Sequence, residues 1–221
     1  MMRINKWLAQ NTDLSRRKAD DAVINGNVHI NNELAELGSN VSDSNIVKLN
    51  GLTIIPIVSK PELWMLNKPA GYICSRDGQG AKSIYELLPA VLKELNPVGR
   101  LDKDSSGLLL LTNDGTLQQK LSHPSFGHKK IYEVTLNKSF SDSEIDLIFN
   151  PGVDIGDERL SQFMIEATGK NTYKVILEEG RNRQIRRTFE ALNYRVKRLH
   201  RVSFGEFDLD ELSPGKLKHC I

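Results

Sequence analysis

The stretch VGRLDKDSSGLLLLTNDG, Val98 to Gly115, sets Arg100, Asp102 and Asp104 between Gly99 and Gly107 and follows them with four leucines. A carboxylate in such a loop can attack an electrophilic carbon or remove a proton. An arginine beside it favours the ionised form that either task needs. Leu108 to Leu111 form a short, continuous apolar run, the pattern of a core strand. Charge cannot enter a core unpaired, so the residues before the run are expected as a loop at the strand's mouth, held still by it. Taken alone they better suit a polar turn closed by Ser105, Ser106 and Gly107. Two distant stretches add chemistry. KKIYEV offers Tyr132, with a flat face and a hydroxyl, and EGRNRQIRR offers Arg181, Arg183, Gln184, Arg186 and Arg187 at the start of a helix. Each has a plainer alternative, a strand aromatic and a solvated helix face.

The elements that must position these groups follow from pattern. LWMLNKPAGYICS reads as two strands joined by a Lys68-Pro69-Ala70-Gly71 turn. SIYELLPAVLKEL opens with Ser83 and Glu86 in capping-box spacing and is expected as a helix. TLQQKLSH is a short helix, KKIYEVTL a strand, SDSEIDLIF a second capping box from Ser141 to Glu144, and TYKVILEEG a strand. RNRQIRRTFEALN predicts a helix ending at Asn193, and YRVKRLHRVSFG a final strand. Strands outnumber helices without alternating with them, which predicts an α+β fold on a largely antiparallel mixed sheet with flanking helices.

Ahead of this lies a smaller unit. Ile4, Trp7 and Leu8 share a helical face; Ser15 caps a second helix with Ala19, Ala22 and Val23 inward and Gly26 as its stop. NVHIN and NIVKLNG then read as strands. Pro56 and Pro61 flank a break, so the linker is placed near Val58 to Glu62, with domains at residues 1–59 and 60–221.

The 221 residues are 39% hydrophobic and 26% charged, ordinary for a soluble protein. No apolar run nears the ~20 residues of a membrane span, and there is no signal-peptide core. Cys74 and Cys220 match no metal spacing and, with five scattered histidines, predict no metal; they fit a reducing compartment. Nucleotide-binding glycine loops are absent, so no cofactor is expected. The net charge is only +2, yet it is concentrated. Arg3, Lys6, Arg16, Arg17 and Lys18 cluster near the start, and eight cations stand against three acids between Glu178 and Arg201. Arg16, Arg17 and Lys18 sit in the first turn of their helix, where the dipole opposes cations by about 0.3–1 kcal/mol each. Contact with RNA phosphates accounts for that placement.

The segment RINKWLAQ…SRRKADDAVINGNVHINN, roughly residues 2 to 50, resembles the small RNA-binding domain named for ribosomal protein S-four. LGSNVSDSNIVKL departs from that pattern, which often has proline and glycine in the turn, a change of loop stiffness more than of binding. GRLDKDSSGLLLLTNDG, KKIYEV and EGRNRQIRR, in this order and with LNKPAGYICS ahead of them, resemble the RsuA/RluB/RluF group of pseudouridine synthases, which modify bacterial ribosomal RNA and carry an S-four-like domain in front. The resemblance implies isomerisation of uridine without a cofactor. It places the essential aspartate on Asp102, the tyrosine on Tyr132 and the basic partner on Arg186. Arg100 is its candidate to fill the gap left by a flipped-out base. Lys68, Arg181, Arg183 and Gln184 are expected to bind substrate, and Arg3, Lys6, Arg16, Arg17 and Lys18 to bind RNA. EGRNRQIRR is more like the large-subunit-modifying members and WMLNKPAGYICS more like the small-subunit ones; large-subunit RNA is the expected substrate. The partner is ribosomal RNA or a pre-ribosomal particle, the protein a cytoplasmic monomer.

Two other functions were weighed. A non-catalytic assembly factor would use both basic clusters but has no need of an acid facing phosphate. A glycoside hydrolase would use Asp102 and Asp104, ~7 Å apart along an extended chain, near the ~5–9.5 Å of such pairs. Neighbours on one loop, however, cannot easily flank a bond from two sides.

Overall fold

The computed structural model describes residues 1–42, 44–57, 60–78, 80–123 and 127–221, apart from the side chains of Asp142 and Ser143. The chain forms two compact units, Met1–Lys60 and Pro61–Ile221. Two residues of the expected linker, Val58 and Ser59, lie outside the described residues.

The first unit runs β1 (Met2–Arg3), α1 (Ile4–Asn11), α2 (Arg16–Ile24), β2 (Val28–Ile30), β3 (Glu33–Leu34), β4 (Asn40–Val41), β5 (Val47–Leu49) and β6 (Leu52–Thr53). Ile4, Trp7 and Leu8 of α1 and Ala19 and Val23 of α2 close on Val28, Val41 and Val47. The Ser15 hydroxyl accepts from Lys18 N at 3.3 Å, so α2 begins where the sequence predicts. Gly26, at φ +72°, turns the chain out of it.

The second unit holds β7 (Leu63–Lys68), β8 (Asn96–Val98), β9 (Ser106–Thr112), α3 (Gly115–Ser122), β10 (Lys130–Leu136), α4 (Asp142–Phe149), β11 (Met164–Gly169), β12 (Thr172–Leu177), α5 (Gln184–Ala191), β13 (Val196–Phe204), β14 (Phe207–Asp208) and β15 (Leu217–His219). They build a nine-stranded sheet in the order β11-β12-β10-β13-β9-β7-β15, with β14 on β13 and β8 on β9. Among the described residues β9 and β13 are the one parallel pair; the rest are antiparallel. The expected α+β fold on a largely antiparallel mixed sheet is what forms.

The four leucines have a simple explanation. Leu109 and Leu111 enter one core with Leu66, Val134, Val175 and Phe189, while Leu108 and Leu110 enter another, on the opposite face, with Leu63, Met65 and Phe204. A strand buried on both faces loses its alternation. Each leucine is fully buried, contributing about 1.5–3 kcal/mol.

Two expectations fail. SIYELLPAVLKEL is not a helix: its capping box forms, with Glu86 Oε1 accepting from Ser83 N at 2.7 Å, but only short 3-10 turns follow at Ile84–Glu86 and Ala90–Leu92. Pro89 lacks an N–H and disfavours helical geometry at Leu88, so no α-helix can run through. GYICS is not a strand beyond one bridge, Ile73 to Ser83. β7 is already flanked by β9 and β15, leaving the returning chain no edge to join. It crosses the aspartate loop instead, with Gly71 N donating to Lys103 O at 2.6 Å.

Candidate active site

The loop between β8 and β9 turns at both ends on a glycine with positive φ. Gly99 has φ +70° and Gly107 φ +109°. At Gly107 a Cβ would lie 2.2 Å from the Arg201 carbonyl oxygen, because β13 passes directly alongside. Beneath the loop lies Lys68, entirely buried at the end of β7. Its ammonium donates to Ser105 O at 2.7 Å and to Asp102 O and Pro69 O at 3.1 Å. Burial pushes the Lys68 pKa down, against the nearby Cys74 and aspartates that push it up. Lys68, expected to bind substrate, holds the aspartate loop from beneath.

Above the loop stand two arginines. Arg183 is in the left-handed region at φ +47°, just before α5. This turns its guanidinium onto the loop, where it holds both Asp104 oxygens at 3.0 and 3.1 Å and lies 3.6 Å from Asp102 Oδ2. Arg186, one turn into α5, donates to Asp104 O at 2.9 Å and pairs with Asp104 Oδ2 at 3.2 Å. The arginine in reach of Asp102 is thus Arg183, while Arg186, expected as its partner, braces the loop through Asp104. Burial works to raise the Asp104 pKa, but the Arg183 hydrogen bonds and both arginine charges outweigh it and hold the carboxyl low. With both oxygens engaged, Asp104 is no free acid, which removes the carboxylate pair a glycoside hydrolase would need.

A cleft of about 690 Å³ opens beside Asp102, lined among others by Arg100, Tyr132, Lys130, Arg183 and Arg201. Asp102 is a third exposed and Arg100 open to solvent. Tyr132 lies on the buried face of β10 with Val134 and Leu136, and pairs across to Arg201 on β13. Arg181 and Gln184 line the cleft too but are committed to scaffold. Arg181 bonds Asp157, Glu179 and the carbonyls of Arg159 and Leu160; Gln184, buried, donates to Ser161 Oγ at 3.2 Å and Glu179 Oε1 at 2.5 Å. The structure therefore brings Asp102, Tyr132, Arg100 and Arg183 to one cleft, with Arg181 and Gln184 in its wall but bonded to scaffold, and sets Lys68 and Arg186 behind the aspartate loop. In the first unit Arg16, Arg17 and Lys18 are exposed on the first turn of α2, Arg3 is exposed ahead of α1, and Lys6 is half-buried on it. Among the described residues no three His, Cys, Asp or Glu side chains gather as a metal would need.

Arg201 was not foreseen. Its signal was present, since Leu199, Arg201 and Ser203 alternate on the buried face of β13, but an arginine in that series reads as an outward residue when only charge is considered.

Comparison with known proteins shows the family. The RNA pseudouridylate synthase family profile matches residues 62–191. An uncharacterized RNA pseudouridine synthase of Aquifex aeolicus is 34% identical over 97% of this chain and 88% of its own. The dual-specificity RNA pseudouridine synthase RluF of Escherichia coli is also 34% identical, over 97% of this chain and 74% of its own. A crystal structure of a pseudouridylate synthase superposes with a TM-score of 0.73 at 28% identity, covering all of this chain and 96% of the other. Sequence, fold and matched span converge, and the chain belongs to the RNA pseudouridine synthases of the RsuA/RluF type, enzymes that isomerise uridine within RNA.

Proposed function

We propose that the protein isomerises a specific uridine to pseudouridine in ribosomal RNA, with Asp102 as the reacting carboxylate and no cofactor. The observation that carries this reading is an accessible carboxylate on a rigid loop, ion-paired to Arg183 at 3.6 Å and sharing a cleft with Tyr132. The uracil-to-ribose bond is broken when Asp102 either bonds to C1′ or removes the C2′ proton. The base turns and rejoins through C5, releasing the C5 proton. Tyr132 offers a face on which the base stacks. Because the target lies inside folded RNA, it must be flipped out, and exposed Arg100 fills the space it leaves. Arg183 and Arg186 keep the loop charged and still.

The first unit is read as an S-four-like domain whose Arg3, Lys6, Arg16, Arg17 and Lys18 hold RNA phosphates and take no part in the chemistry. The substrate is large-subunit RNA, free or in an assembling particle, and the enzyme acts as a monomer in the cytoplasm, in keeping with free Cys74 and Cys220. The test is to map pseudouridine across ribosomal RNA from cells with and without the gene. One large-subunit position should lose the modification. An unchanged map overturns ribosomal RNA as substrate, and a lost position in the small subunit overturns the choice of subunit.

A further inference from the structure

The floor of the cleft holds an arginine with an unspent donor. Arg201 is 3% exposed. Its Nε donates to Leu108 O at 2.8 Å, which fixes the plane of the fork, and its Cζ lies 5.1 Å from the Phe204 ring centroid. Nη2 is buried and has no hydrogen-bond partner among the described residues. A buried guanidinium N–H left unpaired is costly, and it persists at a functional site when a ligand supplies the acceptor. The neighbourhood is cationic as well: burial, with the Arg201 charge added to it, pushes the Lys68 and Lys130 pKa values down.

The geometry points to Arg201 as a substrate-contacting residue, its Nη2 donating to a carbonyl oxygen of the target uracil and stabilising the charge that ring carries when its bond to ribose breaks. The inference rests on the reading of Asp102 given above, but not on which of its two routes is taken. If Asp102 bonds to C1′, its negative charge is consumed in the new ester and the C1′–N1 pair leaves on uracil. If it removes the C2′ proton, the C–H pair becomes a C1′–C2′ double bond and the C1′–N1 pair again leaves on uracil. Either way one negative charge spreads over N1, O2 and O4, and a donor fixed beforehand at one of those oxygens stabilises the transition state more than the ground state. A base, not a phosphate, is the group that reaches Nη2. A phosphodiester must run both its ester arms back to the RNA, whereas a flipped base is a flat terminus that enters edge first. Tyr132, the cross-strand partner of Arg201, is itself only 8% exposed. Both are largely covered in the free protein and are neighbours across the strands, so a base entering there meets both, ring face on Tyr132 and carbonyl on Arg201.

The experiment uses the full chain and transcribed ribosomal RNA carrying tritium at uracil C5, with release of tritium as the readout. Arg201→Gln should bind this RNA as wild type does but turn over about 10²-fold more slowly, the scale of losing one such donor, with Arg201→Lys in between. Transcripts with sulfur replacing O2 or O4 of the reactive uridine supply the second arm. One of the two should slow wild type and leave Arg201→Gln unaffected, because the contact is already gone. Thermal unfolding confirms that the variants are folded; if Arg201→Gln is not, Arg201→Lys carries the same sulfur comparison. A folded variant within two-fold of wild type overturns the inference, as does equal sensitivity to sulfur in both proteins. So does loss of the difference only when the phosphate next to the target is made a methylphosphonate, which would assign Arg201 to phosphate. Wild type that releases no tritium from the transcript, nor from pre-ribosomal particles carrying the same label, would instead overturn the ribosomal RNA reading itself.

Discussion

One guanidinium serves two carboxylates unequally: Arg183 Nη1 is 3.0 Å from Asp104 Oδ1 and 3.6 Å from Asp102 Oδ2. The close contact fixes the loop, and the looser one leaves Asp102 free to move onto a substrate. On the proposed reading Asp104 is the anchor and Asp102 the working group.

Asp104→Asn should therefore keep activity at a reduced level, about 10-fold down, since Arg183 can then close on Asp102. It should also change stability in acid. The Asp104 pKa is held below its ordinary value, so its contribution is fully present above pH ~4 and is lost as pH falls through the lower folded value. The pair is half exposed, which limits that contribution to under ~1 kcal/mol. Urea unfolding of both proteins from pH 2 to 7 should show a difference that disappears at the acid end.

Lys68→Met should destabilise the second unit by roughly 3 kcal/mol, because the carbonyls of Pro69, Asp102 and Ser105 lose their shared donor. The folded fraction should bind RNA with near-normal affinity yet turn over slowly, the aspartate loop having lost its post. Denaturant titration and single-turnover rates separate the two effects.

How far this site could be read from sequence depended on whether a residue's partners are local. The β9 leucines, the Ser15 and Ser83 caps and the loop bracketed by Gly99 and Gly107 all depend on neighbours a few positions away, and all were legible. Pro89 is equally legible as a helix stop, and it outweighs the capping box at Ser83. The partners of Arg183 and Arg186 lie some 80 residues away, and those of Lys68 up to 37. No spacing rule connects them. Neither pattern nor resemblance therefore shows that Lys68 sits buried beneath the loop, or that Arg183 is the arginine within reach of Asp102.

Tyr194→Phe tests a tie behind the site. The Tyr194 hydroxyl donates to Glu144 Oε2 at 2.7 Å, joining α4 to the approach to β13. That bond, first of all, and burial with it raise the Tyr194 pKa to about 12. A raised folded pKa stabilises below the unfolded value of ~10, and the gain is lost as pH climbs through about 12. Wild type should exceed the variant by ~0.5–1.5 kcal/mol at pH 8, and the gap should narrow by pH 11.5, measured by denaturant unfolding.

Replacing Arg16, Arg17 and Lys18 together by alanine should weaken RNA binding and flatten the slope of log affinity against log salt by roughly two units. Turnover at saturating RNA should stay near wild type. Filter binding across a salt series checks the first effect, single-turnover rates the second. Unchanged affinity and slope would make these side chains a solvated helix face.

The most direct measurement is pseudouridine formation by Asp102→Asn on ribosomal RNA, alongside binding and thermal unfolding of the same protein. The substitution keeps size and shape, removes the charge, and replaces one carboxylate oxygen by an amide NH2. The account predicts a folded protein that binds RNA and forms no pseudouridine under conditions where Asp104→Asn still does. Pseudouridine formed by Asp102→Asn at the wild-type rate would contradict it.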